Sequence, residues 1–360
     1  MPEPSKAMTG ASAGGPPACS DWARSQDLSP IGSAGHYQGY LLVEQPLPWP
    51  SDISEVAELA DVIELAAAAG LRVQAIARAG AGPADEQSQE VGPSPGPVPP
   101  GAMAAGQRRL ISYRMTRPGW AGPLSRREGR AGPGDLAEVA AALLGRGAGA
   151  GAAAALGPGR GAGPGVVDVL VCTHGRRDTC CGARGMELVR ALAEAGLAGP
   201  SPAGASPAPA GAGPGPEVRL WRTSHTGGHR FAPTAVVLPS ATLWAWADVA
   251  LLEQVVRGEG PVPGVVSRYR GCATLGPPAH QAVEKGVLAQ VGWPLLSSWR
   301  RTEDAGGGLV RLVTEVAGTW QAHPAEGRHV PQPECRTPPE RAAQQSVEWV
   351  VDDLRQVAPA

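Results

Sequence analysis

The sequence lacks the long apolar run that a membrane span or a secretory signal needs. Residues 1–15 contain no apolar core. The stretch Val139–Gly157 is mostly Ala and Gly, but it includes Arg146 and is too weakly hydrophobic to cross a bilayer. We therefore expect no membrane association and a cytoplasmic location, where thiols stay reduced.

Basic runs are missing as well. The chain has 31 basic and 33 acidic residues, with a formal net charge of −2. No stretch combines aromatic residues with clustered basic ones, so nucleic acid is not expected as a partner. Lysine occurs only as Lys6 and Lys285. The excess of Arg accompanies abundant Ala, Gly and Pro, which indicates a composition bias and not a binding surface.

Several enzyme signatures are also absent. There is no Cys-x-x-Cys pair, which argues against a thioredoxin-type dithiol. Six positions after Cys172 stands Asp178, where a cysteine-dependent phosphatase would need Arg. No Gly-x-Gly-x-x-Gly follows a predicted strand, so we expect no nicotinamide or flavin site within this chain.

Glycine and proline are plentiful, at 50 and 38 residues, and they cluster in three low-complexity stretches. These stretches are predicted to be flexible because their ordering entropy could not be offset by apolar burial. We find no internal repeat. We predict a disordered tail at 1–15 and an N-terminal α/β lobe at 16–144, which contains a flexible insertion at 79–107. A linker at 145–165 leads to a second domain at 166–260, which contains a flexible insertion at 198–216. A C-terminal extension follows at 261–360.

Apolar periodicity predicts alternating strands and helices, and hence an α/β fold. In the first lobe the predicted strands are Tyr40–Glu44, Leu71–Ala77 and Arg109–Met115, and the predicted helices are Ser54–Ala68 and Asp135–Leu144. In the second domain we predict strands at Val166–Cys172 and Glu217–Thr223, a helix from Gly182, a hairpin of Thr234–Leu238 with Thr242–Ala247, and a helix Val249–Arg257 capped by Asp248. In the extension we predict helices at His280–Val291 and Ala342–Val357 and a strand at Leu309–Ala317. The order of elements in the second domain is compatible with a thioredoxin-like α/β sandwich.

Two loops of the second domain carry the metal-binding residue types. Cys172 and Cys181 follow the strand Val166–Cys172, and His225 and His229 follow the strand Glu217–Thr223. If these strands are parallel neighbours, both loops lie at one edge of the sheet. Gly227 and Gly228, between the two His residues, permit a tight turn with positive φ.

The spacing of the Cys and His residues is compatible with two kinds of metal site. Two Cys and two His form the ligand set of a high-potential 2Fe–2S centre. The same residue types can hold structural zinc, although zinc sites usually have closer Cys pairs than Cys-x₈-Cys.

The stretches VLVCTHGRRDTCCGARG and SHTGGHRFAPTAVVLPSATLWAW resemble the sucrase/ferredoxin-like family of thioredoxin-like 2Fe–2S ferredoxins. Cys19-Ser20-Asp21 and LLVEQPLPWP at Leu41–Pro50 are similar to the opening lobe of that family. The resemblance covers about residues 16–130 and 165–300. It implies a 2Fe–2S cluster held by Cys172, Cys181, His225 and His229, and a role in electron transfer.

In that family the second Cys directly precedes Gly, which selects Cys181. Cys180 remains an alternative ligand. Cys19, Cys272 and Cys335 are isolated in sequence and are interpreted as small buried residues. His174 is placed near the cluster edge. For Arg176, Arg177 and Arg230 three interpretations stay open: a docking surface for an acidic partner, charge compensation for the cluster, and ordinary solvated loop residues.

We therefore expect a one-electron carrier, and an enzyme with its own substrate is the less favoured interpretation. A separate reductase and an electron acceptor, neither identified, are the expected partners. Two alternatives stay open: a zinc-stabilised binding module without redox activity, and a cluster-based sensor of oxidants or metal stress.

Overall fold

The structure is a computed structural model that describes residues 18–80, 106–147, 165–200, 216–335 and 337–358. The predicted tail and most of the three predicted flexible stretches lie outside the described residues. The helices are α1 (Cys19–Ser25), α2 (Ala60–Ala67), α3 (Leu136–Leu143), α4 (Thr179–Glu194), α5 (Val249–Arg257), α6 (Pro263–Val266), α7 (Pro278–Val291) and α8 (Pro294–Ser297).

Strands make up the rest of the regular structure, apart from short 3₁₀ helices. They are β1 (Gly39–Glu44), β2 (Leu71–Arg78), β3 (Arg108–Arg114), β4 (Ser125–Ala131), β5 (Val166–Cys172), β6 (Gly199–Pro200), β7 (Glu217–Thr223), β8 (Ala235–Leu238), β9 (Thr242–Trp244), β10 (Tyr269–Cys272), β11 (Arg300–Asp304), β12 (Val310–Thr314), β13 (Gly318–Ala322), β14 (Pro324–Pro331), β15 (Gln345–Val351) and β16 (Arg355–Val357). The predicted α/β class is confirmed.

One mixed sheet of ten strands forms the centre of the protein, in the order β10-β9-β8-β5-β7-β2-β1-β3-β4, with β6 paired to β7. β1 pairs with β2, and β5 with β7, in parallel. The other neighbours within this sheet are antiparallel. Both predicted lobes therefore contribute strands to the same sheet.

The sheet contains the same unit twice. The first unit is β1-α2-β2-β3-β4-α3 and the second unit is β5-α4-β7-β8-β9-α5. In each unit the first two strands are parallel and the third and fourth add antiparallel on the far side of the first strand. A topological repeat is thus present that the sequence does not reveal.

The two units join through their outer strands. β2 and β7 pair antiparallel only at their C-terminal ends, where Ile76–Arg78 lies beside Trp221–Thr223. Because the overlap is limited to these ends, the loop that follows β1 reaches the loop that follows β5. Buried Asp168 on β5 also connects the units, because its carboxylate accepts hydrogen bonds from Trp221 Nε1 at 2.6 Å and from the Tyr113 hydroxyl on β3.

Beyond the sheet, the C-terminal part forms a four-stranded sheet, β11-β12-β13-β16, and a β14-β15 hairpin around α7. The predicted helix Ala342–Val357 is wrong, since β15 and β16 occupy this range. β-branched Val347, Val350 and Val351 favour a strand, and pairing with β14 supplies the backbone partners.

Other element boundaries also differ from the prediction. The predicted strand Leu309–Ala317 is shorter and ends at Thr314, whose Oγ1 accepts the Ala317 N–H at 2.8 Å and forms a turn. Within the predicted helix Ser54–Ala68, the α-helix begins only at Ala60 and is preceded by two short 3₁₀ helices. None of the helices in the described part of the chain has the length and apolar content needed to cross a bilayer.

Candidate metal centre

The two loops with the candidate ligands begin side by side. β5 and β7 are parallel neighbours, and their last residues, Cys172 and Thr223, are register partners. The Thr173 N–H continues the pairing by donating to Thr223 O at 3.1 Å. The condition that β5 and β7 are parallel neighbours is thus met, and it brings the Cys loop and the His loop to the same edge of the sheet.

Glycine lets α4 pack directly against the end of β5. A Cβ on Gly185 would lie 2.0 Å from Cys172 O, and a Cβ on Gly182 would lie 2.6 Å from the Cα of Gly175. No side chain fits at such distances, so these glycines allow the first turn of α4 to approach the strand. The turn carries Cys181 to Cys172.

The helix starts three residues earlier than predicted, at Thr179 and not at Gly182. Cys180 and Cys181 therefore belong to a helical turn. Asp178 occupies the N-cap position without making a side-chain capping bond. Its carboxylate is directed instead to the two candidate His ligands.

Cys172 and Cys181 form a buried thiol pair, and each is 1% exposed. The neighbouring Cys181 thiol lowers the pKa of Cys172 well below its ordinary value; burial opposes this effect and His225 supports it. The same coupling raises the pKa of Cys181. The lowered pKa favours a thiolate at Cys172, and a thiolate is the form that binds metals.

The His loop turns as the sequence predicts. Gly227 and Gly228 have φ of 80° and 68°, in the region that suits glycine. Fully buried Arg270 lies under this turn and donates to Gly227 O at 3.0 Å and to Ser33 O at 2.7 Å. Burial lowers the pKa of Arg270 to about 10.

Asp178 lies between the two imidazoles. Its carboxylate oxygens are 3.0 Å from His225 Nδ1 and 3.2 Å from His229 Nδ1. Burial opposes the carboxylate charge, but the nearby His residues outweigh it and lower the pKa of Asp178. The His225 contact is poorly aligned, so within the described chain neither His225 Nδ1 nor Asp178 Oδ2 has a regular hydrogen bond.

His174 has a positioning role in this arrangement. Its Nδ1 accepts the His225 backbone N–H at 3.2 Å, which makes Nε2 the donor to Pro50 O at 2.6 Å. The Trp49 ring packs edge-on against the imidazole at 5.8 Å. Both nitrogens are therefore engaged, and His174 connects the loop after β1 to the His loop.

The other residues that the sequence analysis considered, one cysteine and three arginines, differ in their exposure. Cys272 is fully buried, as expected for a small core residue. Arg230 is only 8% exposed and stacks on Phe231. This burial contradicts the solvated-loop and docking-surface interpretations, and charge compensation stays a prediction. Arg176 and Arg177 are exposed.

The three other cysteines are neighbours. The sulfur of Cys19 lies 3.4 Å from that of Cys180 and 3.6 Å from that of Cys335. Cys19 is buried as predicted and Cys335 is half-buried, but the two cysteines that are isolated in sequence are neighbours in the fold. Cys180 contacts these two thiols, whereas Cys181 contacts Cys172.

A family model described as Sucrase/ferredoxin-like matches residues 30–271, more than half of the 360 residues. The chain belongs to the sucrase/ferredoxin-like family. No curated protein and no solved structure gives a significant match to it. The family region contains Cys172, Cys181, His225 and His229, whereas Cys19 and Cys335 lie outside it.

The donor set is chemically suited to an iron–sulfur group. The two imidazoles meet at Asp178, where two polar atoms lack regular hydrogen bonds, and the buried thiol Cys172 has His225 and Cys181 as neighbours. Thiolate and imidazole are the ligand types of mixed Cys/His iron–sulfur centres. Sequence reasoning missed Asp178 and Arg270, because no local motif marks either residue as part of the site.

Proposed function

We propose that this member of the sucrase/ferredoxin-like family is a one-electron transfer protein whose Cys172, Cys181, His225 and His229 hold a 2Fe–2S cluster. The observation that carries the proposal is the convergence of two thiols and two imidazoles from the ends of neighbouring strands. Such a cluster supplies a one-electron redox couple when bound.

The candidate cysteine and histidine ligands differ in their solvent exposure. Cys172 and Cys181 are almost fully buried, whereas the side chains of His225 and His229 are 20% and 14% exposed. The cysteines would anchor the cluster in a water-poor interior. The imidazoles would face the surface and provide the short route by which an electron enters or leaves.

His225 also borders a surface cleft of about 290 Å³. Arg72, the exposed Arg177 and Asp52 line the same cleft, and Arg177 lies 3.6 Å from the Asp52 carboxylate. Arg72 leaves this rim with a positive charge in excess, which suits an acidic redox partner because complementary charge accelerates encounter. The expected partners are a reductase and an electron acceptor.

The ligand charges determine whether the reduction potential lies above or below that of an all-cysteine ferredoxin. Neutral imidazole replaces anionic thiolate at two positions, which lowers the negative charge around the metal and favours the reduced state. The potential should therefore exceed that of an all-cysteine ferredoxin by roughly a few hundred mV.

Anaerobic purification, with absorption spectroscopy and iron and acid-labile sulfide analysis, tests the proposal. We expect a coloured protein with two iron and two sulfide per chain. The Cys172→Ser variant should lose them, whereas the Cys272→Ser variant should keep them because Cys272 lies in a different part of the core. A colourless protein without sulfide, whose zinc is lost in Cys172→Ser, would identify a zinc-stabilised module instead.

A further inference from the structure

A second group of sulfur atoms lies beside the candidate cluster site. All pairs of sulfur atoms among Cys19, Cys180 and Cys335 lie within 4.8 Å, and the two closest pairs are 3.4 and 3.6 Å apart. Among the described residues, no other three His, Cys, Asp or Glu side chains bring their ligand atoms this close to one another. Neither the family match nor the proposed cluster accounts for it.

The three thiols come from remote parts of the sequence. Cys19 begins α1, Cys180 lies in the first turn of α4, and Cys335 follows β14. Cys19 is 2% and Cys180 is 7% exposed, while Cys335 is half-buried. The site is therefore largely shielded, with Cys335 on its open side.

The distances suit one metal ion. Zinc binds thiolates at about 2.3 Å, and tetrahedral geometry then puts neighbouring sulfurs about 3.8 Å apart. The observed separations of 3.4 and 3.6 Å are close to this value. They are far longer than the ~2.05 Å of a disulfide bond.

Nearby cations suit a group of thiolates. Buried Arg230 interacts electrostatically with Cys19, and Arg184 interacts with Cys180. Within the described residues, Arg230 Nε has no hydrogen-bond partner. A three-thiolate zinc site carries a net charge of −1, which a neighbouring guanidinium offsets.

We propose that Cys19, Cys180 and Cys335 bind one zinc ion as three thiolates, at a site separate from the proposed cluster. Binding releases the thiol protons to solvent. A tetrahedral ion would retain one position for water. The soft sulfur ligands select zinc over hard cations such as Mg²⁺ or Ca²⁺.

Zinc at this position would connect the ends of the chain to the candidate cluster site. Cys180 directly precedes Cys181, and His229 Nε2 lies 3.2 Å from Pro333 O, two residues before Cys335. The ion would thereby fix α1 and the C-terminal segment against the first turn of α4, with that segment beside His229.

The test measures zinc, iron and sulfide together in the full chain, purified anaerobically. We expect one zinc per chain, and Cys19→Ser and Cys335→Ser should each lower zinc retention by about tenfold or more while iron and sulfide stay unchanged. Cys272→Ser is the matched control, a buried thiol outside the group, and should keep both. Cys172→Ser should lose iron and sulfide but keep zinc, which separates this proposal from the proposed function.

If the variants fail to fold, a second measurement on the unmodified protein still tests the proposal. Thiol alkylation followed by peptide mass spectrometry should show Cys19, Cys180 and Cys335 protected together, and chelation should raise the reactivity of half-exposed Cys335 at least tenfold. Protein without zinc, stoichiometric copper or iron in its place, or a disulfide between Cys19 and Cys180 would each overturn the proposal.

Discussion

His225 and His229 approach Asp178 from the same loop, and the two imidazoles differ in their other contacts. His229 also touches Pro333 O, whereas His225 is held through its backbone by His174 and by Arg72, which donates to His225 O at 2.7 Å. Each candidate ligand thus has its own support. The loss of one should leave the other in place.

Replacement of one imidazole by a thiolate tests the ligand assignment. We expect His229→Cys to keep a cluster but to lower its reduction potential, by up to roughly a few hundred mV, because an anionic ligand disfavours the added electron. Spectroelectrochemical titration measures the shift. His323→Cys, at an exposed position, is the control and should leave the potential unchanged. An equal potential in all three proteins would remove His229 from the ligand set.

Asp178 should act as a positioning residue. Asp178→Asn weakens the contact with both imidazoles, and partners of metal ligands typically contribute 10–100-fold to retention. We expect faster loss of the cluster to a chelator, by about tenfold or more, with its reduced-state spectrum retained. Asp248→Asn is the matched control, because Asp248 occupies the N-cap position of α5 and caps it by accepting from Leu251 N at 2.8 Å. Equal loss rates in the two variants would contradict this role.

The candidate ligands could be predicted because they lie in two short motifs at strand ends. Asp178 escaped prediction since its partners are about fifty residues away, a separation that no local pattern reports. Cys19 and Cys335 are 316 positions apart, and their proximity depends on the packing of both chain ends. Arg230 was expected at the surface, but its loop folds inward.

At the scale of elements, the contact between α4 and β5 determines where Cys181 lies. The backbone approach at Gly185 leaves no space for a side chain, because an added Cβ would lie 2.0 Å from Cys172 O. Helix and strand must therefore separate if this glycine is replaced. The thiol pair is the first feature that such a movement would disturb.

The Gly185→Ala variant tests this contact. We expect a loss of about 1–3 kcal/mol in the free energy of unfolding, as for other overpacked sites, together with lower iron content. Urea unfolding and iron analysis measure the two effects. Gly264→Ala in α6 is the control, because a Cβ there meets no atom within 4 Å, and Ala favours helix by up to ~1 kcal/mol. Equal stability of the two variants would contradict the close approach.

Elements were predictable where the local pattern and the tertiary environment agree. The range Val166–Cys172 is correct to the residue because its β-branched run suits a strand in the middle of a sheet. The helix predicted at Ala342–Val357 is wrong because the apolar spacing of this range is compatible with a helix as well as with strands. Pairing with β14 stabilises the strand conformation. That partner is not visible in the local sequence.

At the scale of the whole molecule, two similar units share one sheet, but only the second carries the candidate ligands. The loop after β1 has no cysteine, and its Trp49 and Pro50 contact His174 in the loop after β5. The first unit therefore supports the site of the second. The repeat was not predictable, because the units share topology and not a recognisable sequence pattern.

A buried ion pair connects the C-terminal part to the rest. Arg300 on β11 donates to Glu284 on α7 at 2.5 Å, and both side chains are fully buried. Tyr269 on β10 also donates to Glu284, at 2.8 Å. This carboxylate thus joins the small sheet, α7 and the edge of the large sheet.

Removal of that carboxylate charge should be strongly destabilising. Glu284→Gln leaves the Arg300 charge buried without an anion, and such a change typically costs about 3–5 kcal/mol. The control Glu315→Gln breaks the exposed pair with Arg117 and should change stability by about 0–1 kcal/mol. Denaturant unfolding measures both. A loss below 1 kcal/mol for Glu284→Gln would contradict the role assigned to the pair.

The central claim is that two imidazoles and two thiolates hold one cluster. Electron–nuclear double resonance on the chemically reduced protein, labelled with ¹⁵N-histidine, tests it most directly. We expect nitrogen couplings from two His ligands, one of which disappears in His229→Cys. A reduced cluster without any ¹⁵N coupling, or a protein without a paramagnetic reduced state, would contradict the claim.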